Sequence, residues 1–101
     1  EYMEGRLGAK YTKSLSRPLL DYFRMFYNDT AVNGSTSALQ CGVSFFGADR
    51  VLFGSDMPFD NELGAASIRE TARSVEELDL PSVEREKIFA GNARRLLRLG
   101  E

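Results

Sequence analysis

The stretch Arg50-Val51-Leu52-Phe53-Gly54-Ser55-Asp56-Met57-Pro58-Phe59-Asp60 decides the fold. Its first half is a brief apolar run with little alternation, the pattern of a strand buried on both faces of a parallel sheet. Its second half turns polar at once, which places Ser55 and Asp56 at the carboxyl end of that strand, the end where α/β folds bind ligands. A carboxylate there, beside an apolar wall, suits two kinds of chemistry: it can ligate a divalent cation, or act as a base once burial has raised its pKa. The same side chain also suits a plainer task, capping the loop that follows.

Working upstream, Phe26-Tyr27-Asn28-Asp29-Thr30-Ala31-Val32 is aromatic and β-branched and closes on Asn33-Gly34, so it predicts another short strand. Asp29 and Thr30 at its polar end would line the pocket of Asp56 or serve the turn. Between the strands, Ser35 or Thr36 is placed to cap a helix over 38–46 that carries Leu39, Val43 and Phe46 and stops at Gly47. Before the first strand, Pro18 opens a short helix ending near Met25, with Leu15, Leu19, Tyr22 and Phe26 on one face. Residues 1–16 hold no sustained period and read as a loop.

Downstream, Ile68, Ala72, Val75 and Leu78 mark the apolar face of an amphipathic helix. Pro81 ends it, Ser82 caps a helix over 83–89, and Asn92 caps a last helix through Leu96, Leu97 and Leu99. Strands separated by helical crossovers predict an α/β chain with a parallel sheet. Two parallel strands leave an open edge on each side, so these elements read as a slice of a larger fold whose other strands lie outside this sequence.

Composition narrows the function. The chain has 101 residues, enough for one small domain, with 43% hydrophobic and 28% charged residues, an ordinary globular mix. A net charge of −2 gives no pull toward nucleic acid or anionic lipid, so neither nucleic acid nor membrane is an expected partner. There is no histidine, which excludes a Ser/His/Asp triad, a Cys/His pair and an imidazole ligand within these residues. Chemistry here must rest on carboxylates, Arg or Lys.

The one cysteine, Cys41, cannot form an internal disulfide, and no apolar run reaches the ~18 residues of a membrane span. The cytoplasm is the expected location. Cys41 sits among apolar neighbours on a predicted helix and is expected to be a buried structural thiol. Arg94, Arg95 and Arg98 make a basic helix end that favours its own carbonyls. The opening Glu1-Tyr2-Met3-Glu4-Gly5-Arg6 lacks the charged and apolar regions of a signal peptide, and the expectation is of a chain that has lost its beginning.

A resemblance runs over nearly the whole chain. Gly54-Ser55-Asp56-Met57-Pro58-Phe59, preceded by Ala48-Asp49-Arg50-Val51-Leu52-Phe53 and followed by Gly91-Asn92-Ala93-Arg94-Arg95-Leu96-Leu97, resembles the end of an amidohydrolase-related, metal-dependent hydrolase. This is the branch that includes aminocarboxymuconate-semialdehyde decarboxylase and related aromatic-acid decarboxylases. Tyr22-Phe23-Arg24-Met25-Phe26-Tyr27-Asn28-Asp29-Thr30-Ala31 is similar to that family's seventh strand and the helix leading into it.

The resemblance implies the closing part of a (β/α)8 barrel, a fold that needs ~250 residues in full. It also implies that Asp56 ends strand eight and faces a catalytic divalent metal, usually zinc, where it activates a water or orients substrate. The family's other ligands are mostly histidines on earlier strands, so the isolated chain is expected to be inactive. Arg6 lies where decarboxylase relatives place an arginine that binds a substrate carboxylate, a task its planar fork suits; a solvated surface arginine is the alternative. The expected activity is hydrolysis or decarboxylation of a carboxylated or ring substrate. Exposed apolar faces imply a homo-oligomer, and a non-catalytic piece held by self-association or a partner chain is the competing reading.

Overall fold

The computed structural model describes residues 14–100. Pro18 takes the N-cap position of α1 (Leu19–Phe23), shorter than the helix to Met25 that the spacing suggests. The chain then enters β1 (Asn28–Asp29), whose residues pair in parallel with β2 (Val51–Leu52) in the register Asn28 to Val51 and Asp29 to Leu52. Both strands are shorter than their sequence runs. At the upstream end, residues 48–50 form a 3-10 turn that takes Arg50 out of the strand, and its guanidinium instead bonds the Met25 carbonyl at 2.9 Å and lies over the Tyr27 ring.

Between the strands runs α2 (Thr36–Phe46), capped by Ser35, whose Oγ accepts from the Ala38 N–H at 3.3 Å. Gly47 ends it with φ +84°, a left-handed value that costs glycine nothing. Leu39 and Val43 are buried as expected from the spacing, whereas Cys41 is exposed. That corrects the buried-thiol expectation: Cys41 lies two residues from both Leu39 and Val43, and such neighbours on a helix point to different faces.

After β2, α3 (Ala65–Glu76) turns Thr71, Ser74 and Val75 inward, with Leu78 just beyond its end. Ile68, expected on the buried face, is exposed. Of the inward polar residues, Ser74 is satisfied locally, its Oγ donating to the Thr71 carbonyl at 2.8 Å. Next come α4 (Ser82–Glu86), a π-helical turn (Lys87–Gly91) and α5 (Asn92–Leu96), one unbroken helical path where the sequence suggests two helices. Pro81 holds the N-cap position of α4, so Ser82 is its first residue and not its cap.

The core consists of Leu39, Val43, Val51, Val75, Leu78 and Ile88, with Phe53 and Phe89 stacked at its margin, ring centroids 5.6 Å apart. The π turn also ties to the chain just after β2, because the Ile88 carbonyl accepts from Phe53 N–H at 3.1 Å. The result is two parallel strands with helices around them, as the sequence implies. Among the described residues twelve large apolar side chains remain exposed, against six buried ones.

Candidate functional site

Because β1 and β2 are parallel, their carboxyl ends lie side by side. Asp29 ends one, and Gly54, Ser55 and Asp56 leave the other. Backbone pairing stops at Asp29 and Leu52, and Thr30 continues it with its side chain. The Thr30 hydroxyl donates to the Gly54 carbonyl at 2.8 Å and accepts from the Gly54 N–H at 2.9 Å. Thr30 is fully buried. One hydroxyl thus stands in for the two backbone groups a longer strand would have offered.

Asp29 turns back on its own chain, its Oδ1 accepting from Ala31 N–H at 2.9 Å, and lies against Gly54. A Cβ on Gly54 would meet Asp29 Cβ at 3.4 Å. Asp56 follows two residues later with φ +59°, a left-handed conformation that aspartate tolerates better than most residues. Its side chain is exposed and takes no hydrogen bond or ion pair among the described residues.

The loop beyond is held by Asp60. Its carboxylate accepts from Glu62 N–H at 2.7 Å, Gly64 N–H at 3.0 Å, Ser67 N–H at 2.8 Å and Ser67 Oγ at 2.6 Å. Four donors stabilise the ionised form and hold this carboxyl far below the ordinary carboxylate range, with the Ser67 hydroxyl the largest influence. Asp60, Ser55, Asn33, Ser67, Glu70 and Thr71 line an open cleft of about 180 Å³ beside the strand ends. Asp56 is not part of its wall.

The loop cap thus falls to Asp60, for which no local sequence signal exists, and Asp56 takes no hydrogen bond or ion pair among the described residues. Asp60 precedes the first residue of α3 by five positions, too far for a local capping rule to find it. Asn92, expected to cap the last helix, is instead fully buried, and its Nδ2 donates to the carbonyls of Ala48 at 2.6 Å and Val51 at 2.8 Å. A cap was the wrong role because Gly91 and Asn92 both have helical backbone angles, so the helix runs through them. Arg95 adds a bond to the Asp49 carbonyl at 2.7 Å, and Lys87 Nζ lies 3.0 Å from Asp49 Oδ1. The amino end of β2 is therefore braced by helices, and its carboxyl end is the one left open.

Asp56 fits a divalent cation as one ligand, an open carboxylate on a fixed strand end. Among the described residues no group of three His, Cys, Asp or Glu side chains could complete the set. Arg6 lies outside the described residues.

Comparison with known proteins matches residues 23–99 to the amidohydrolase family. The chain is 37% identical over 84 residues to the γ-resorcylate decarboxylase of a Polaromonas species. It is 40% identical over 84 residues to that of a Rhizobium species, and each match covers 82% of this chain and 24% of the relative. The chain therefore spans about a quarter of the length of these curated relatives.

Among solved structures, a Polaromonas dihydroxybenzoic acid decarboxylase with bound manganese and the inhibitor 2-nitroresorcinol matches with a TM-score of 0.69 at 35% identity, covering 87% of this chain and 25% of that one. The 2,6-dihydroxybenzoate decarboxylase from Rhizobium matches with a TM-score of 0.66 at 32% identity, covering 97% and 31%. With the family's pattern running over most of its residues and these folds matching its own, the chain belongs to the amidohydrolase family.

Proposed function

We propose that the chain is the C-terminal part of a metal-dependent decarboxylase acting on a carboxylated aromatic ring, its two strands completed by others into a (β/α)8 barrel. The observation that carries this reading is the exposed Asp56 carboxylate, unpaired among the described residues, beyond the carboxyl end of β2 in a chain 37% identical over 84 residues to γ-resorcylate decarboxylase. Decarboxylation replaces the bond from ring to carboxylate with a C–H bond, so the site must grip a carboxylate and position the ring. Arg6 suits the grip through two parallel hydrogen bonds. Asp56 suits the face toward a divalent cation, which when bound supplies a Lewis acid for the anionic substrate. A relative's structure holds manganese, so the divalent charge has support that zinc in particular lacks. Association of the intact protein with copies of itself and a cytoplasmic location belong to the same proposal.

The test uses the polypeptide that contains this chain as its source cells make it. Incubated with 2,6-dihydroxybenzoate, it should release carbon dioxide, and Asp56→Asn should lower both metal content and turnover by about 10- to 100-fold. Unchanged metal and turnover would remove Asp56 from the site. Hydrolysis of esters or amides with no release of carbon dioxide from hydroxybenzoates would overturn the decarboxylase reading.

A second reading, a non-catalytic chain held together by association, draws on the exposed apolar residues such as Phe26, Phe59 and Leu63. Blotting source-cell lysate with an antibody against residues 68–80 separates the two. A band well above 11.3 kDa supports the enzyme, and a band at that mass supports the second reading.

A further inference from the structure

The geometry points to Thr30 as a positioning residue for Asp56, acting through the backbone of Gly54. This inference rests on the reading of Asp56 given above. β1 contributes only two residues to the ladder, and the chain bends away immediately after Thr30, where Val32 N–H bonds the Thr30 carbonyl at 2.8 Å. Backbone from β1 is therefore no longer beside Gly54. What remains is the Thr30 hydroxyl, which takes both polar groups of Gly54 at 2.8 and 2.9 Å.

Two consecutive peptide groups are pinned by this arrangement: the one that carries the Gly54 N–H and the one that carries its carbonyl. The latter is the peptide that leads into Ser55, so the direction in which the chain departs toward Asp56 is fixed two residues before the carboxylate. Glycine has the widest backbone freedom of any residue, so a glycine at this place needs such a clamp if the next side chains are to be held. Asp29, lying against the Cα of Gly54, blocks movement on that side. The Asp56 side chain takes no hydrogen bond or ion pair of its own among the described residues, so it is held through its backbone: by the Thr30 clamp on the strand side and by the Asp60 loop on the other.

The distinguishing experiment compares Thr30→Ser, which keeps the hydroxyl, with Thr30→Val, which keeps the shape and loses it, in the intact polypeptide. Three quantities are read: turnover of 2,6-dihydroxybenzoate, the manganese concentration for half-maximal binding by calorimetry, and the amide exchange rate of Gly54. Thr30→Val should lower turnover or manganese affinity by about 10- to 100-fold and speed Gly54 exchange, while Thr30→Ser stays close to the parent in all three. A loss confined to Thr30→Ser would mean that the methyl group and its packing matter and not the hydroxyl, and would overturn the inference. So would a folded Thr30→Val with the parent's turnover and affinity.

Should Thr30→Val fail to fold, exchange in the unaltered protein decides: a Gly54 amide as fast as an unprotected one overturns the clamp, and a protected one upholds it. Asp56→Asn run alongside separates the two levels of the argument. If that variant keeps full activity, the reading of Asp56 fails. If it is inactive while Thr30→Val is normal, only the role of Thr30 fails.

Discussion

Asn92 reaches from α5 to β2, its side-chain amide 2.8 Å from the Val51 carbonyl oxygen, while its own carbonyl oxygen is buried without a partner among the described residues. The side chain is thus used as a donor alone, tying the last helix to the strand that carries Asp56. Removing it with Asn92→Ala leaves the Val51 carbonyl facing an empty space and should cost about 1–3 kcal/mol. Asn92→Asp should be worse at pH 7, because an ionised carboxylate cannot donate and would face two carbonyl oxygens. Burial raises the pKa of such a carboxyl, so the variant's stability is fullest below the ordinary value of ~3.9 and is lost as pH rises. Melting curves at pH 4 and pH 7 check this. An Asn92→Asp variant as stable as the parent at pH 7 would show that the amide bonds contribute nothing.

A second prediction concerns the loop beyond Asp56. Gly64 is buried with φ +106°, and a Cβ there would sit 2.8 Å from Met57 Cβ and 2.9 Å from Met57 Cε. The loop closes so tightly that its far end has no room for a side chain beside Met57, the residue following Asp56. Gly64→Ala meets both a backbone angle that L-residues avoid and a collision with a Cβ that cannot swing away. The cost should be about 2 kcal/mol or more, from left-handed strain of roughly 1–2 kcal/mol plus the displacement of Met57. Chemical denaturation measures it. Gly47→Ala makes a useful contrast, since nothing lies within 4 Å of an added Cβ there and its whole cost is the backbone strain of φ +84°, ψ 149°, a region almost reserved for glycine.

What the sequence made legible follows the range of each interaction. The apolar run at 50–54 and Ser35 ahead of a helix are local patterns: the first yields a strand, shorter than the run and fully buried only at Val51, and the second yields the cap of α2. The Thr30 clamp joins residues 24 apart through a side chain, and no local rule carries it. Asn92 illustrates the opposite trap: asparagine after glycine satisfies a capping rule, yet a helix that continues through a π turn gives that side chain to a strand 41 positions away. Ile68 fits the helical spacing but is exposed, because spacing identifies one face of a helix and only neighbouring elements determine which part of it is covered.

Acid should loosen this loop. Asp60 is ionised through four hydrogen bonds, with its pKa held far below the ordinary range. A depressed pKa contributes stability that is present above the unfolded value of ~3.9 and is lost as pH falls from there toward the folded value. Asp60→Asn should therefore flatten the fall of melting temperature below about pH 4, while lowering the melting temperature at pH 7. A residual acid slope should remain, since Asp49 beside Lys87 and Glu77 beside Arg73 are shifted in the same direction. If parent and Asp60→Asn lose stability in parallel between pH 5 and pH 2, Asp60 is not the anchor of the loop.

Produced by itself, the 101-residue chain should associate. Phe59 and Leu63 are 84% and 82% exposed, and Phe26, Val83, Leu97 and Leu99 are also open to solvent. Isolated exposed apolar residues are common on soluble proteins, but among the described residues twelve such side chains outnumber a core of six. The two-stranded sheet adds to this, since the parallel pair offers little hydrogen bonding of its own and depends on side-chain and helix contacts at its margins. Light scattering across a tenfold range of concentration should show a mass above 11.3 kDa that rises with concentration. Replacements should act unequally: Leu97→Glu, at the C-cap of α5, should reduce association, whereas Cys41→Ser, exposed and a small polar change, should leave it unchanged. A strictly monomeric chain at every concentration would mean that the exposed side chains are solvated in solution without a covering partner.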